Sequence, residues 1–353
     1  MKILYIGDST MSSTSYQRYE ALKRLGHDVE LLDPYGILRK INENKFFSYF
    51  HYRTGYKFIQ VIVNEWLIAE LVRVVTSDLV WVNSGELLGI EAIAKLKSLD
   101  IPLILYNNDD PTGGRDKGRF TTLLKAVHLY DLCCVVRDVS KIELEKHGAK
   151  KVIRISMSYD DVAHQPFVNP NDIQLEFRSD VAFIGTWMRH EKRDEFLLKL
   201  IQQNIKVSIW GDRWAKSPYW NQLKPYFRGN SLSGREYVSA IQGAKVCLGL
   251  LSKGNRDLHT TRSLEIPYAG GLLCAERTTE HLAFYKEGKE AVFWADVDEC
   301  ARVCRELLTN DELRESIRKA GMRRVREMGA GNETICQRVL DAVKSIVDEP
   351  VNS

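Results

Sequence analysis

The sequence predicts an α/β protein of two similar domains, each a parallel sheet wrapped by helices. Short β-branched runs alternate with helical patterns, which is the signature of βαβ units. The alternation breaks once, in a proline- and asparagine-rich stretch, and then restarts. The chain's 353 residues, at about 150 residues per domain, make a little over two domains.

In the first half, strands are expected at 2–7, 28–32, 78–82, 102–107, 132–136 and 151–155. After Gly7 comes a Ser/Thr loop, then YQRYEALKRLG, with Leu22 and Leu25 on one face and Gly26 as a helix stop. The loop lies at the carboxyl edge of the first strand, where open α/β sheets bind ligands. Gly7 therefore joins the ligand-contact candidates. Residues 164–178, HQPFVNPNDIQLEFR, lack periodicity and read as a linker. Strands resume at 180–185, 206–211, 245–250, 271–276 and 290–295, and the chain is mainly helical from about 296. The expected division is a first domain over 1–165, a linker over 166–178, a second domain over 179–330, and a helix over 331–353 folding back on the first domain. Two Rossmann-like domains joined this way leave a cleft between their carboxyl-edge loops, where a ligand is expected.

Hydrophobic residues make up 44% and charged residues 27%, so the chain can bury a core and is not a disordered tail. A net charge of +3 is too close to balance for a polyanion-coating protein, and no nucleic-acid partner is expected. The seven cysteines sit mostly in apolar runs and read as buried thiols in a reducing cytoplasm. Cys300 and Cys304 are one helical turn apart without a histidine companion, so no metal site is expected there. The longest apolar run, 58–75, is interrupted by Asn64, Glu65, Glu70 and Arg73, which argues against a spanning helix. MKILYIGDS is too short in apolar length for a signal peptide. The expected location is cytoplasmic, peripheral to a membrane at most.

The most informative segment is NRDLHTTRSLEIPYAGGLLCAE, 255–276. A polar loop from Asp257 to Thr261 leads into a short helix carrying Arg262 and Glu265, ended by Gly270-Gly271. Backbone amides at 258–261, the Thr260 and Thr261 hydroxyls and Arg262 suit a diphosphate. Glu265 offers two oxygens to vicinal ribose hydroxyls, and His259 is a further phosphate or sugar contact. The alternative is a capped surface helix with an Arg–Glu pair. Gly185-Thr186 gives a tight turn with donors, and Arg189 or Arg193 either reaches the same group or is solvated. Gly211, Asp212 and the 231–237 loop are placed to frame a nucleobase.

In the first domain, YNNDDPTGGRDKGRF (106–120) follows a buried strand. Asp109 or Asp110 either accepts the proton of an acceptor hydroxyl, or only orients it, or the pair is simply a turn. Glu86 in Ser84-Gly85-Glu86 is a second, weaker acid candidate. Gly113 to Gly118 has phosphate-loop spacing, but Arg119 and Phe120 replace the Lys and Ser/Thr such a loop needs. HEKRD at 190–194 lacks the second histidine of a zincin, and Asp296-Val297-Asp298 starts a late helix, where acids serve the dipole. Residues 39–58 carry five basic residues against one acidic, and seven Phe or Tyr. They suit stacking on a glycan, contact with an anionic membrane bearing a lipid-linked acceptor, or a local aromatic core.

RSLEIPYAGGLL (262–273), followed by ERTTE and EGKEAVFW, resembles GT-B glycosyltransferases of the CgeB-like kind, related to the large group with a Glu, seven residues, Glu motif. The resemblance extends more weakly to VAFIGTW and KILYIGD. It implies a GT-B architecture, a nucleotide-diphosphate sugar as co-substrate, no metal requirement, a retaining transfer, and a glycan or lipid-linked acceptor. On that pattern Glu265 holds the ribose, and Asp257, an Asp where the group has Glu, meets donor-sugar hydroxyls. Gly185-Thr186 falls near the donor phosphate. A sugar-nucleotide epimerase of the same fold and a non-catalytic surface or spore-associated binding protein are the two alternative readings.

Overall fold

The computed structural model describes residues 1–41, 45–74 and 76–348, with the side chains of 40, 41 and 45–48 outside the description. The chain divides into two compact units, Met1–Ser156 with Asn332–Ser353, and Met157–Gly331.

The first unit holds a parallel six-stranded sheet in the order β2-β1-β3-β4-β5-β6. Its strands are β1 (Lys2–Ile6), β2 (Asp28–Leu32), β3 (Leu79–Asn83), β4 (Leu103–Asn107), β5 (Leu132–Val135) and β6 (Val152–Arg154). The central strands β3 and β4 are buried at every position, as a parallel sheet covered on both faces requires. Tyr5, Trp81 and Tyr106 stack across three adjacent strands, with ring centroids 6.2 and 5.6 Å apart. Arg18 lies 4.2 Å over the Tyr106 ring. Helix Thr14–Arg24 starts at Ser13, whose hydroxyl accepts the Tyr16 amide. It packs against helix Asn332–Val347, and Arg24 pairs with Glu333, so the chain's last helix closes one face of this unit.

The second unit holds another parallel sheet, ordered β12-β11-β10-β7-β8-β9. Its strands are β7 (Ser179–Ile184), β8 (Val207–Trp210), β9 (Phe227–Gly229), β10 (Ala244–Gly249), β11 (Leu273–Glu276) and β12 (Val292–Trp294). Strand β9 is not among the sequence-predicted strands. It is three residues long at the sheet edge, with no β-branched side chain.

The expected linker belongs to the second unit, which begins at Met157. Tyr159 stacks on Tyr268 at 3.8 Å. The Gln242 amide group accepts from the Phe167 N–H and donates to its carbonyl, at 2.7 and 3.0 Å, and Arg235 covers the Phe167 ring. These partners come from distant helices, so local periodicity could not reveal the order.

Candidate functional site

In the second unit the strand order reverses between β7 and β10, the point where doubly wound sheets open a ligand crevice. Arg193 donates to the Thr186 carbonyl at 2.9 Å and the Leu251 carbonyl at 3.3 Å, bridging the loops after both strands. Arg262 Nε donates to the Ile184 carbonyl at 2.6 Å. Among the described residues that is its one hydrogen bond, which leaves the Nη groups for an anion. Gly211, at φ +143°, comes so close to the Gly185 carbonyl that a Cβ would collide with it. The Trp214 indole N–H donates to that same carbonyl at 2.9 Å. Arg189 is exposed.

Helix Arg262–Tyr268 is buried from Ser263 onward. Pro267 removes the bond that the Ser263 carbonyl would accept within the helix, and the Tyr285 hydroxyl takes that carbonyl instead, at 2.8 Å. The surface helix with an Arg–Glu pair is therefore not what forms. Glu265 Oε2 accepts from the Tyr237 hydroxyl at 2.6 Å, and Oε1 stands 4.0 Å from His164 Nε2. The Asp160 N–H donates to His164 Nδ1 at 2.9 Å, which leaves the ring proton on Nε2, facing Glu265. Burial, then the Glu265 charge, push the Tyr237 hydroxyl well above its ordinary value, so it stays a donor. Glu265 is thus a buried carboxylate, 6% exposed, with no Arg or Lys partner among the described residues. Such a group ordinarily carries a large desolvation penalty.

Of the other donor candidates, Asp257 is buried and its N–H bonds the Ser252 carbonyl. Thr260 and Thr261 are half-buried at the helix start, but the Thr260 amide is already taken by Ser263 Oγ at 3.0 Å, so the expected run of open amides is shortened. His259 takes its partners from within the second unit. It is buried, its Nε2 accepts from the Met157 N–H at 3.2 Å, and its Nδ1 meets Glu280. Both ring nitrogens are engaged within the fold. Gly7 lies in the first unit, where a Cβ would meet the Ser15 hydroxyl, the Tyr5 ring and Asn83. It permits close helix–strand packing.

Glu191, which the sequence reading passed over within HEKRD, accepts from Ser252 Oγ and from the Lys253 and Gly254 amides at 2.9–3.3 Å. It ties the loop after β7 to the loop after β10. A cavity of about 340 Å³ opens beside it, reaching Lys253, Glu276 and Trp294.

In the first unit the loops after β3 and β4 build a charged network. Arg119 bonds Glu86 at 2.7 Å, Asp109 at 3.2 Å and Asp116 at 3.5 Å. Arg115 grips both oxygens of Asp116 at 2.9 Å and reaches Asp109 at 3.8 Å, and the Tyr52 hydroxyl donates to Asp116 at 2.7 Å. Two guanidinium groups thus face three carboxylates among the described residues. Glu86 is 1% exposed, and its Oε2 has no hydrogen-bond partner among the described residues. Asp109 keeps 26% of its side chain exposed. Burial, opposed by Arg119, leaves its carboxyl above the ordinary value. Burial, then Asp116, pushes the Tyr52 hydroxyl up to about 12.

Asp110 differs from its neighbour. It is buried at 2%, with the Thr112 and Ser140 hydroxyls 3.4 Å from its Oδ1. It organises the turn. Asp109 and Glu86 are the acids this network brings together.

All seven cysteines are free and buried. Cys274 joins Cys300 and Cys304, with the three sulfurs within 4.8 Å of one another, inside the apolar core of the second unit. The sequence pattern did not show this third thiol. Asp296 caps helix Val297–Thr309, accepting the Glu299 amide at 2.9 Å. No helix among the described residues is long and apolar enough to cross a membrane.

Residues 189–332 match the family of glycosyl transferase-like proteins. No curated protein matches the chain. Among solved structures, the sucrose-phosphate synthase of Thermosynechococcus elongatus is 13% identical, with a TM-score of 0.68 over 98% of this chain and 99% of its own. HepE of Anabaena, in complex with UDP-glucose, is 15% identical, with a TM-score of 0.68 over 98% and 100%. The α,α-trehalose-phosphate synthase (UDP-forming) of Burkholderia vietnamiensis is 12% identical, with a TM-score of 0.63 over 98% and 100%. The fold is that of the GT-B glycosyltransferases. With the family match in its second unit, the chain is an enzyme of the glycosyltransferase kind.

Proposed function

We propose that the protein moves a sugar from a nucleoside diphosphate donor, held by the second unit, to an acceptor hydroxyl presented by the first. The observation that carries this reading is Glu265, a buried carboxylate whose side-chain partners among the described residues are Tyr237 and His164. Vicinal ribose hydroxyls fit its spare acceptor capacity and supply the compensation the fold withholds. The solved complex of HepE with UDP-glucose and the UDP-forming synthase support a UDP-hexose as the first donor to test. The resemblance of residues 262–294 supports placing the chain with the CgeB-like glycosyltransferases.

Arg262, with its Nη groups available, stabilises the leaving diphosphate in place of a metal ion. The bond from the anomeric carbon to the β-phosphate oxygen breaks, and the acceptor oxygen bonds the same carbon. The hydroxyl proton leaves on the departing diphosphate, and the anomeric configuration is retained. Asp109 accepts a hydrogen bond from the acceptor hydroxyl and orients it, with Arg119 and Arg115 fixing the carboxylate. The acceptor is a glycan or a lipid-linked hydroxyl compound.

Incubation with UDP-hexoses and a panel of acceptors, read by mass spectrometry and by proton NMR of the new anomeric centre, tests this. Transfer with retained configuration, undiminished by EDTA, is expected. An inverted product makes Asp109 the proton acceptor instead, and an epimeric nucleotide sugar as sole product refutes transfer.

A further inference from the structure

Seven large apolar side chains stand at least 41% exposed between residues 49 and 72. Helix Lys45–Arg53 contributes Tyr49 and Phe50, and Phe58 stacks on Phe50 at 5.3 Å. Helix Gln60–Leu71 contributes Val61 and Ile68, with Val72 just past its end, in one stripe at helical spacing. Its opposite face, Val63 and Leu67, is fully buried. Glu65, also exposed, stands in that stripe between Val61 and Ile68, so the uninterrupted apolar part is the end formed by Tyr49, Phe50, Phe58 and Val61. An exposed apolar surface of this kind marks a docking face.

Charge decides what docks. Arg53 lies over the Tyr49 ring at 5.0 Å and Lys57 over Phe58 at 4.7 Å, so cations decorate the aromatic part. Among the described side chains of 49–73, Arg53, Lys57 and Arg73 stand against Glu65 and Glu70, and both cations beside the aromatic rings belong to the exposed end of the patch. Aromatic and aliphatic tips with basic flanks match the headgroup region of an anionic bilayer.

We infer that this face docks on an anionic lipid surface and that the acceptor is lipid-linked. The same elements turn their other side to the charged network: Tyr52 bonds Asp116, and Tyr56 is buried beside it. An acceptor anchored in the bilayer would be delivered next to Asp109. The docking claim stands on the surface alone, whereas the lipid-linked acceptor rests on the proposed transferase reading.

Flotation of the full chain with phosphatidylglycerol-containing vesicles tests the docking. Strong binding at low salt is expected, weakened at 0.5 M salt and on pure phosphatidylcholine. Combined Val61→Ser, Ile68→Ser and Val72→Ser changes should reduce it at least tenfold while leaving UDP-induced thermal stabilisation unchanged. No flotation at low salt, or equal flotation of the triple variant, overturns the inference. So does a concentration-dependent dimer that the same substitutions abolish without any vesicle binding, because the face would then belong to a second copy. Loss of nucleotide stabilisation in the wild type, with flotation intact, counts against the transferase reading alone.

Discussion

In the first unit the strand order reverses between β1 and β3, and in the second between β7 and β10. The first crevice is filled: Gly7 abuts Ser15 and Asn83, and Arg18 donates to Asn83 at 2.7 Å. Its acids collect at the ends of β3 and β4, around Arg119. In the second crevice Arg193 and Arg262 donate to backbone carbonyls, and Glu265 has no Arg or Lys partner among the described residues. Sheet topology names a crevice, then, and packing at the strand ends decides whether a ligand can use it.

The contrast is sharpest in stability. Arg119→Ala strips the cation from Glu86 and should cost about 3–5 kcal/mol in urea unfolding. Arg262→Ala, which loses a bond to one carbonyl, should cost no more than about 1.5 kcal/mol but should weaken nucleotide binding. Equal destabilisation by the two changes would erase the distinction between a structural network and a ligand site.

Glu265→Gln should lower affinity for a UDP-sugar by about 10- to 150-fold, the worth of a hydrogen bond to a charged group of about 1.5–3 kcal/mol, in calorimetric titration. Its thermal stability should hold or rise, since an uncompensated buried charge is removed. Asp109→Asn should leave donor affinity untouched.

Acidity divides the units as well. Because the Asp109 carboxyl is raised by burial, its charged form is present above that raised value and is lost as pH falls through it. Acceptor-dependent kcat/KM should fall on acidification from a pH above the usual carboxylate range. The Asp109→Asn variant should lack that limb. The smallest effect is that of Tyr52→Phe, which removes one hydrogen bond to Asp116 and should cost about 1 kcal/mol by denaturation midpoint.

Much of the fold was readable because buried parallel strands announce themselves as apolar runs. Strand β9 was not, since a three-residue edge strand needs no such run. Nor was the order of 157–178, which depends on Gln242, Arg235 and Tyr268. Glu265 was readable from its local motif. Its partners Tyr237 and His164, 28 and 101 residues away, are joined to it only by folding. Adjacent Asp109 and Asp110 look alike in sequence, and only the turn geometry sends one into the network and the other into the Thr112–Ser140 contacts.

The central claim is that Glu265 receives a nucleoside diphosphate sugar. Thermal unfolding of wild type and Glu265→Gln against UDP-, GDP-, dTDP- and CMP-sugars tests it most directly. One donor should stabilise the wild type, by about 2.7 kcal/mol at a hundredfold excess over Kd, with the variant needing far more of it. Stabilisation by no donor, or by the same donor equally in both proteins, would contradict the account.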